Sequence, residues 1–222
     1  MAEQHYTTAT TAPRGIESAG EISKVLKNTY LLLATTIAFS AITAGIAMAV
    51  NAPYFGLWTL LPYIVCLWMV EKNKNSAAGL FWVFALTGWL GFSLGPILNA
   101  FVGAGAGETI TLALGGTALI FFATSGYVLI TRKDLSFMGG FLMTGILVAF
   151  IAAIANFFLQ IQGMHLAISC MFLVLSSGII MWQTSRIIHG GETNYISATV
   201  TLYVMIYNIF TSLLSLIGMG DD

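Results

Sequence analysis

Charge is what this chain has least of. Only 8% of its 222 residues are Asp, Glu, Lys or Arg, where a soluble domain carries about 25%. Basic and acidic residues nearly cancel, leaving a formal net charge of -1, so nothing in the balance points to nucleic acid. There are two cysteines; by the topology read below, Cys66 and Cys170 fall near opposite faces of the membrane. A disulfide needs Cα atoms within roughly 7 Å, so a disulfide framework is excluded and both read as small buried hydrophobes. The N-terminus lacks the short apolar core and small-residue cleavage site of a secretory signal. No Gly-rich loop ending in Lys-Ser/Thr is present, which removes nucleotide hydrolysis of that type. No span contains the lysine that a retinal protein needs, and none has Asp or Glu deep inside it, although cation-coupled transport usually wants an intramembrane carboxylate.

What is abundant is hydrophobic side chain: 58% of residues, with mean hydropathy +0.88. Apolar stretches of spanning length, about 20 residues, recur at roughly 30–50, 54–70, 77–102, 108–131, 137–159, 164–184 and 196–218. The fold class expected is therefore all-α: a polytopic membrane protein of seven transmembrane helices. Residues 1–23 are polar and Thr/Ala-rich and read as a flexible tail; residues 24–222 form the membrane domain.

The eight basic residues occupy alternate segments. Arg14, Lys24 and Lys27 precede the first span, Lys72 and Lys74 follow the second, Arg132 and Lys133 follow the fourth, and Arg186 follows the sixth. Basic residues near span ends are retained in the cytoplasm. The N-terminus is thus expected in the cytoplasm and the C-terminus, Asp221-Asp222, on the far side. Helix contacts are expected where small residues let backbones approach: Gly88, Gly91 and Gly95 in the third span, Ala34, Ala38, Ala41 and Gly45 on one face of the first, Gly115 and Gly116 in the fourth, and Gly139, Gly140 and Gly145 in the fifth. Pro96 is expected to kink the third span.

Three groups of residues invite a chemical reading. Gly91-Phe92-Ser93-Leu94-Gly95 matches G-x-S-x-G, yet a hydrolase needs that motif on an exposed strand-to-helix turn with a His in reach; inside an apolar helix it reads as packing. His165 stands alone at a span end, so it reads as an interfacial anchor and no metal site is expected. Asn99, Asn156 and Asn208 fall in the outer halves of their spans and form a candidate outer polar cluster, weighed against ordinary interhelical hydrogen bonds at about 0.6 kcal/mol each.

The region from Ser176 to Phe210 concentrates most of the remaining polarity. A stripe of Ser197, Thr201, Asn208, Ser212 and Ser215 runs along the seventh span, and such residues avoid lipid. Gln183 lies one turn inside the cytoplasmic end of the sixth span, with Thr201 at similar depth. In the loop between them Arg186 can meet Glu192 across Gly190-Gly191. Gln183, Thr201, Met205, Arg186 and Glu192 are the candidate gate, set against a solvated loop with a weak ion pair.

At these residues the chain resembles the Bax inhibitor-1 family. The likeness rests on SLGPILN (Ser93–Asn99), GGTALIFF (Gly115–Phe122), FMGGFLM (Phe137–Met143) and IIHGGETNYI (Ile187–Ile196). It implies six helices around a central seventh. It implies two functions: a calcium leak gated by paired aspartates, and, in a bacterial branch, a substrate and modulator of the inner-membrane AAA protease FtsH, linked with HflK and HflC. The aspartate positions align with Gln183 and Met205, which cannot titrate, so a proton-gated latch is not implied here. A non-enzymatic regulator of the bacterial inner membrane is the leading expectation, with no cofactor; a calcium or cation leak is the alternative.

Overall fold

The computed structural model describes residues 14–161 and 163–219, with side chains from residue 19 onward. Long apolar runs leave the backbone no partner but itself in lipid, so helices are the form that satisfies every N–H and C=O. Among the described residues there is no strand. The helices are α1 (Arg14–Ala49), α2 (Leu60–Asn73), α3 (Ala77–Gly103), α4 (Gly107–Thr131), α5 (Gly139–Leu159), α6 (Met164–Ile188) and α7 (Tyr195–Gly218). Short 3-10 turns precede α2 (Gly56–Thr59) and α5 (Ser136–Met138).

Six helices are individually long and apolar enough to cross a membrane; α2, at 14 residues, is not. The second span expected at 54–70 is thus displaced to a shorter helix that takes in Glu71 and Lys72. The 3-10 turn extends it to about 29 Å by rise per residue, close to the roughly 30 Å of a hydrocarbon core. Gly56 at its start lies beside the ring of Phe157 near the end of α5, and the Trp89 indole N–H donates to the Thr59 carbonyl at 3.0 Å.

The tail boundary also differs from expectation. Residues 1–13 lie outside the described residues, but α1 is already helical at Arg14 rather than beginning after Ser23. With 36 residues it is about 54 Å long, so its first turns run clear of the apolar layer, where Glu21, Lys24 and Lys27 need not meet lipid.

The tightest seam joins α1 to α3. A Cβ on Gly91 would fall 2.3 Å from the Ser40 carbonyl oxygen, and one on Gly95 would fall 2.4 Å from the Ala47 Cβ. The expected glycines of α3 therefore pack, but against a different face of α1. Ala34, Ala38, Ala41 and Gly45 are exposed, while Leu33, Thr36, Ser40, Ala44 and Ala47 are buried. On the buried face Ser40 Oγ gains an interhelical hydrogen bond with Tyr203 Oη (2.6 Å), while Thr36 donates to Leu33 O (2.9 Å) and Thr43 to Ser40 O (2.9 Å) within α1. Alanine loses nothing by facing lipid tails. Elsewhere Gly139 and Gly145 pack on Trp182 and Leu175 of α6 and Gly116 on Leu213 of α7, whereas Gly115 and Gly140 have open space. The α3 helix runs through Pro96 without a break.

Helix α7 packs against α1, α2, α3, α4 and α6, while α5 leans on α6 at the periphery. The stripe read along α7 is half-buried except for Ser212, which is buried. The face most enclosed instead carries Ile196, Thr199, Leu202, Tyr203, Ile209 and Leu214.

Candidate functional site

The end of the bundle where α6 passes to α7 carries the densest polar network. Helix α6 stops because Gly190 takes φ 74°, a left-handed conformation that glycine adopts without strain. The N–H groups of Gly191 and Glu192 then both donate to Arg186 O, at 2.8 and 3.1 Å. Helix α7 starts at Asn194, whose Oδ1 accepts from the N–H groups of Ile196 (3.0 Å) and Ser197 (3.1 Å). This N-cap satisfies donors that an apolar helix start would otherwise orphan. The same amide donates to Lys74 O (3.0 Å) and Asn75 Oδ1 (2.8 Å), tying the α2–α3 turn to the start of α7.

Arg186 is held from several sides. Its Nη2 donates to Gly191 O at 2.9 Å and stands 3.7 Å from Glu192 Oε2. Its Nη1 reaches Gln183 Oε1 at 3.5 Å, and its guanidinium carbon lies 4.8 Å from the Trp182 ring centre. Glu192 is in turn fixed by accepting from Asn194 N–H at 3.0 Å. The loop ion pair is thus more enclosed than a solvated surface pair, and Gln183, Arg186 and Glu192 form one connected chain.

Gln183 is 1% exposed, and its Nε2 has no hydrogen-bond partner among the described residues. Thr201 does not supply one: its hydroxyl donates to Ser197 O of its own helix (3.1 Å). Met205 is buried in the main apolar core. The three asparagines make no hydrogen bonds with one another among the described residues. Asn99 donates to Met48 O at 2.9 Å, joining α3 to the end of α1. Asn156 Oδ1 accepts from Ile161 N–H at 3.1 Å and closes the end of α5. Among the described residues, Asn208 makes no side-chain hydrogen bond.

A layer of hydroxyls that composition alone did not single out crosses the bundle at the depth of Gln183. Tyr30 bonds Ser125, Ser125 reaches Thr184 (3.3 Å), and Thr199 donates to Thr29 O (3.2 Å). This level draws on α1, α4, α6 and α7. Below it, Ser185 Oγ donates to Lys133 O (3.1 Å) and accepts from Leu135 N–H (2.9 Å), anchoring the α4–α5 turn to α6. Tyrosines and threonines inside apolar runs were the available signal, because each needs an internal partner.

Ser93 donates to Leu90 O at 2.8 Å and lies 3.3 Å from Tyr207 Oη, so its surroundings are those of a packed helix. His165 Nε2 meets Ser215 Oγ at 2.9 Å. No three metal-ligating side chains gather among the described residues. Outside the spans, a hydrogen bond to Glu71 raises the Lys74 pKa, and bonds from Ser136 hold the Asp134 carboxyl below its ordinary value.

A bundle of long apolar helices with an amide-capped α7 and an IIHGGETNYI turn is a membrane protein of the Bax inhibitor-1 family, and the chain belongs to it. Residues 22–222 match the family described as inhibitor of apoptosis-promoting Bax1. The chain is 56% identical over 199 residues to "Modulator of FtsH protease YccA" of Escherichia coli K12, covering 89% of this chain and 91% of that one. It is equally similar to "Inner membrane protein YccA" of E. coli O6:H1. A Pseudomonas aeruginosa protein without assigned activity is 46% identical over the full length of both chains.

Proposed function

We propose that this chain is a non-enzymatic regulator of the bacterial inner membrane that acts on an FtsH-type AAA protease, in company with HflK and HflC. The observation that carries the reading is the 56% identity over most of its length to the E. coli protein named as modulator of that protease. The mechanism is competition. The N-terminal segment offers the protease a starting point, and the close α1–α3 seam resists extraction by raising the barrier to unfolding. Removing residues 2–13 leaves α1 intact. The shortened protein should have a several-fold longer cellular half-life and lose crosslinks between its N-terminus and the protease. An unchanged half-life with crosslinks kept would sink the mechanism.

The second reading is a calcium or cation leak closed at Gln183, Thr201 and Met205, with Arg186 and Glu192 over it. It is favoured by the buried Gln183 amide, whose Nε2 has no partner among the described residues, a polar group placed where an apolar side chain would cost less. Flux into proteoliposomes decides between the two. Q183D/M205D should add pH dependence to a flux the parent already shows. If neither form conducts, the leak is discarded.

A further inference from the structure

The most exposed large apolar side chains of this molecule flank the α4–α5 turn, where two helices meet the edge of the apolar layer. Ile130 and Phe137 are 84% and 82% exposed, the highest among its exposed large hydrophobics. They flank Arg132 and Lys133 in the sequence, and neither cation has an ion pair among the described residues. Phe141, also exposed, follows one turn into α5. Two cations without a carboxylate partner beside an exposed apolar surface suit a ligand with an anionic head and hydrocarbon tails.

The turn is built rather than loose. Arg132 closes α4 in the left-handed region, φ 51°, with its N–H donating to Val128 O at 2.8 Å. Lys133 Nζ lies 5.8 Å from the Tyr127 ring centre, an attraction between ammonium and ring face. Ser185, fully buried, grips the backbone on both sides of Asp134 through Lys133 O and Leu135 N–H. The Asp134 carboxylate, the one acid in the turn, is engaged by Ser136 N–H at 2.9 Å. It leaves the two cations in excess by one charge.

We propose that this turn is a binding site for an anionic phospholipid. Arg132 and Lys133 hold the headgroup phosphate, and Ile130, Phe137 and Phe141 carry the acyl chains. Lys72 over Trp68, at 5.1 Å on α2, repeats the pairing of cation and ring, but its neighbour Lys74 is ion-paired with Glu71, so it is the weaker position.

The test titrates acyl-labelled phosphatidylglycerol, or phosphatidylcholine, into the detergent-solubilised full chain and reads fluorescence anisotropy. Each basic residue near a membrane surface contributes about 1 kcal/mol toward anionic lipid, so R132Q/K133Q should weaken phosphatidylglycerol binding roughly thirty-fold. K24Q/K27Q, which removes the same charge elsewhere, should change it far less. Phosphatidylcholine should bind weakly to every form. Equal losses in the two double variants would reduce the effect to diffuse attraction and overturn the site. So would equal affinity for the two lipids, or displacement of phosphatidylglycerol by inorganic phosphate at matched concentration. If R132Q/K133Q does not fold, the unaltered chain still decides. Phosphatidylglycerol, and not phosphatidylcholine, should slow hydrogen exchange across residues 132–138; no slowing refutes the proposal.

Discussion

Asn194 is the residue on which the polar end of the bundle turns. Its amide oxygen caps α7 while its amide nitrogen holds the α2–α3 turn. Asn194→Ala should lower stability by about 1–2 kcal/mol from the lost cap, with a further loss because Lys74 O is left without that donor. Asn194→Ser should recover the cap and not the tie, and so fall between. Thermal unfolding in detergent measures all three. Ser185→Ala is expected to cost about 1–3 kcal/mol, because it strands a backbone N–H and a carbonyl at the buried side of a turn. At this scale the sequence reached Gln183, Arg186 and Glu192 because charge and amide are rare in the chain. It did not reach Ser185, Thr199 or Tyr203, since serine, threonine and tyrosine occur throughout, and only packing shows which of them are enclosed.

The seam between α1 and α3 shows what one helix can and cannot disclose. Small residues mark both helices as close packers, and Gly91 and Gly95 do pack. On α1, however, two faces compete: one of alanines and Gly45, one of hydroxyls and alanines. The sequence favours the first by side-chain size. The fold uses the second, where Ser40 gains a partner on α7 in Tyr203, while alanine is indifferent to lipid. Gly95→Leu should therefore destabilise the bundle severely, by several kcal/mol, since the Ala47 Cβ and the Met48 backbone occupy the space. Gly115→Ala meets open space and should be neutral or slightly stabilising through helix propensity. Comparing both variants with the parent by unfolding in one detergent separates the two cases; equal effects would contradict the assigned faces.

For the whole molecule, the distribution of eight basic residues predicts which end meets the cytoplasm. Single cysteines at Lys74 and at Lys133, in a background with Cys66 and Cys170 replaced, should react with an impermeant maleimide only after spheroplasts are opened. Labelling of either position in intact spheroplasts would reverse the orientation. The sequence by itself determined that the chain is helical and membrane-bound, because twenty-residue apolar runs admit no other backbone solution in lipid. It also determined the family, because IIHGGETNYI is a dense local signal. Only the tertiary structure decided that α2 needs a 3-10 extension to approach spanning length, that α5 stands at the rim, and that Asn99 and Asn156 serve separate joints. It also decided that Gln183 joins Arg186 rather than Thr201. Those outcomes depend on which faces meet, and in a chain apolar on nearly every side, hydrophobic pattern does not rank one face above another.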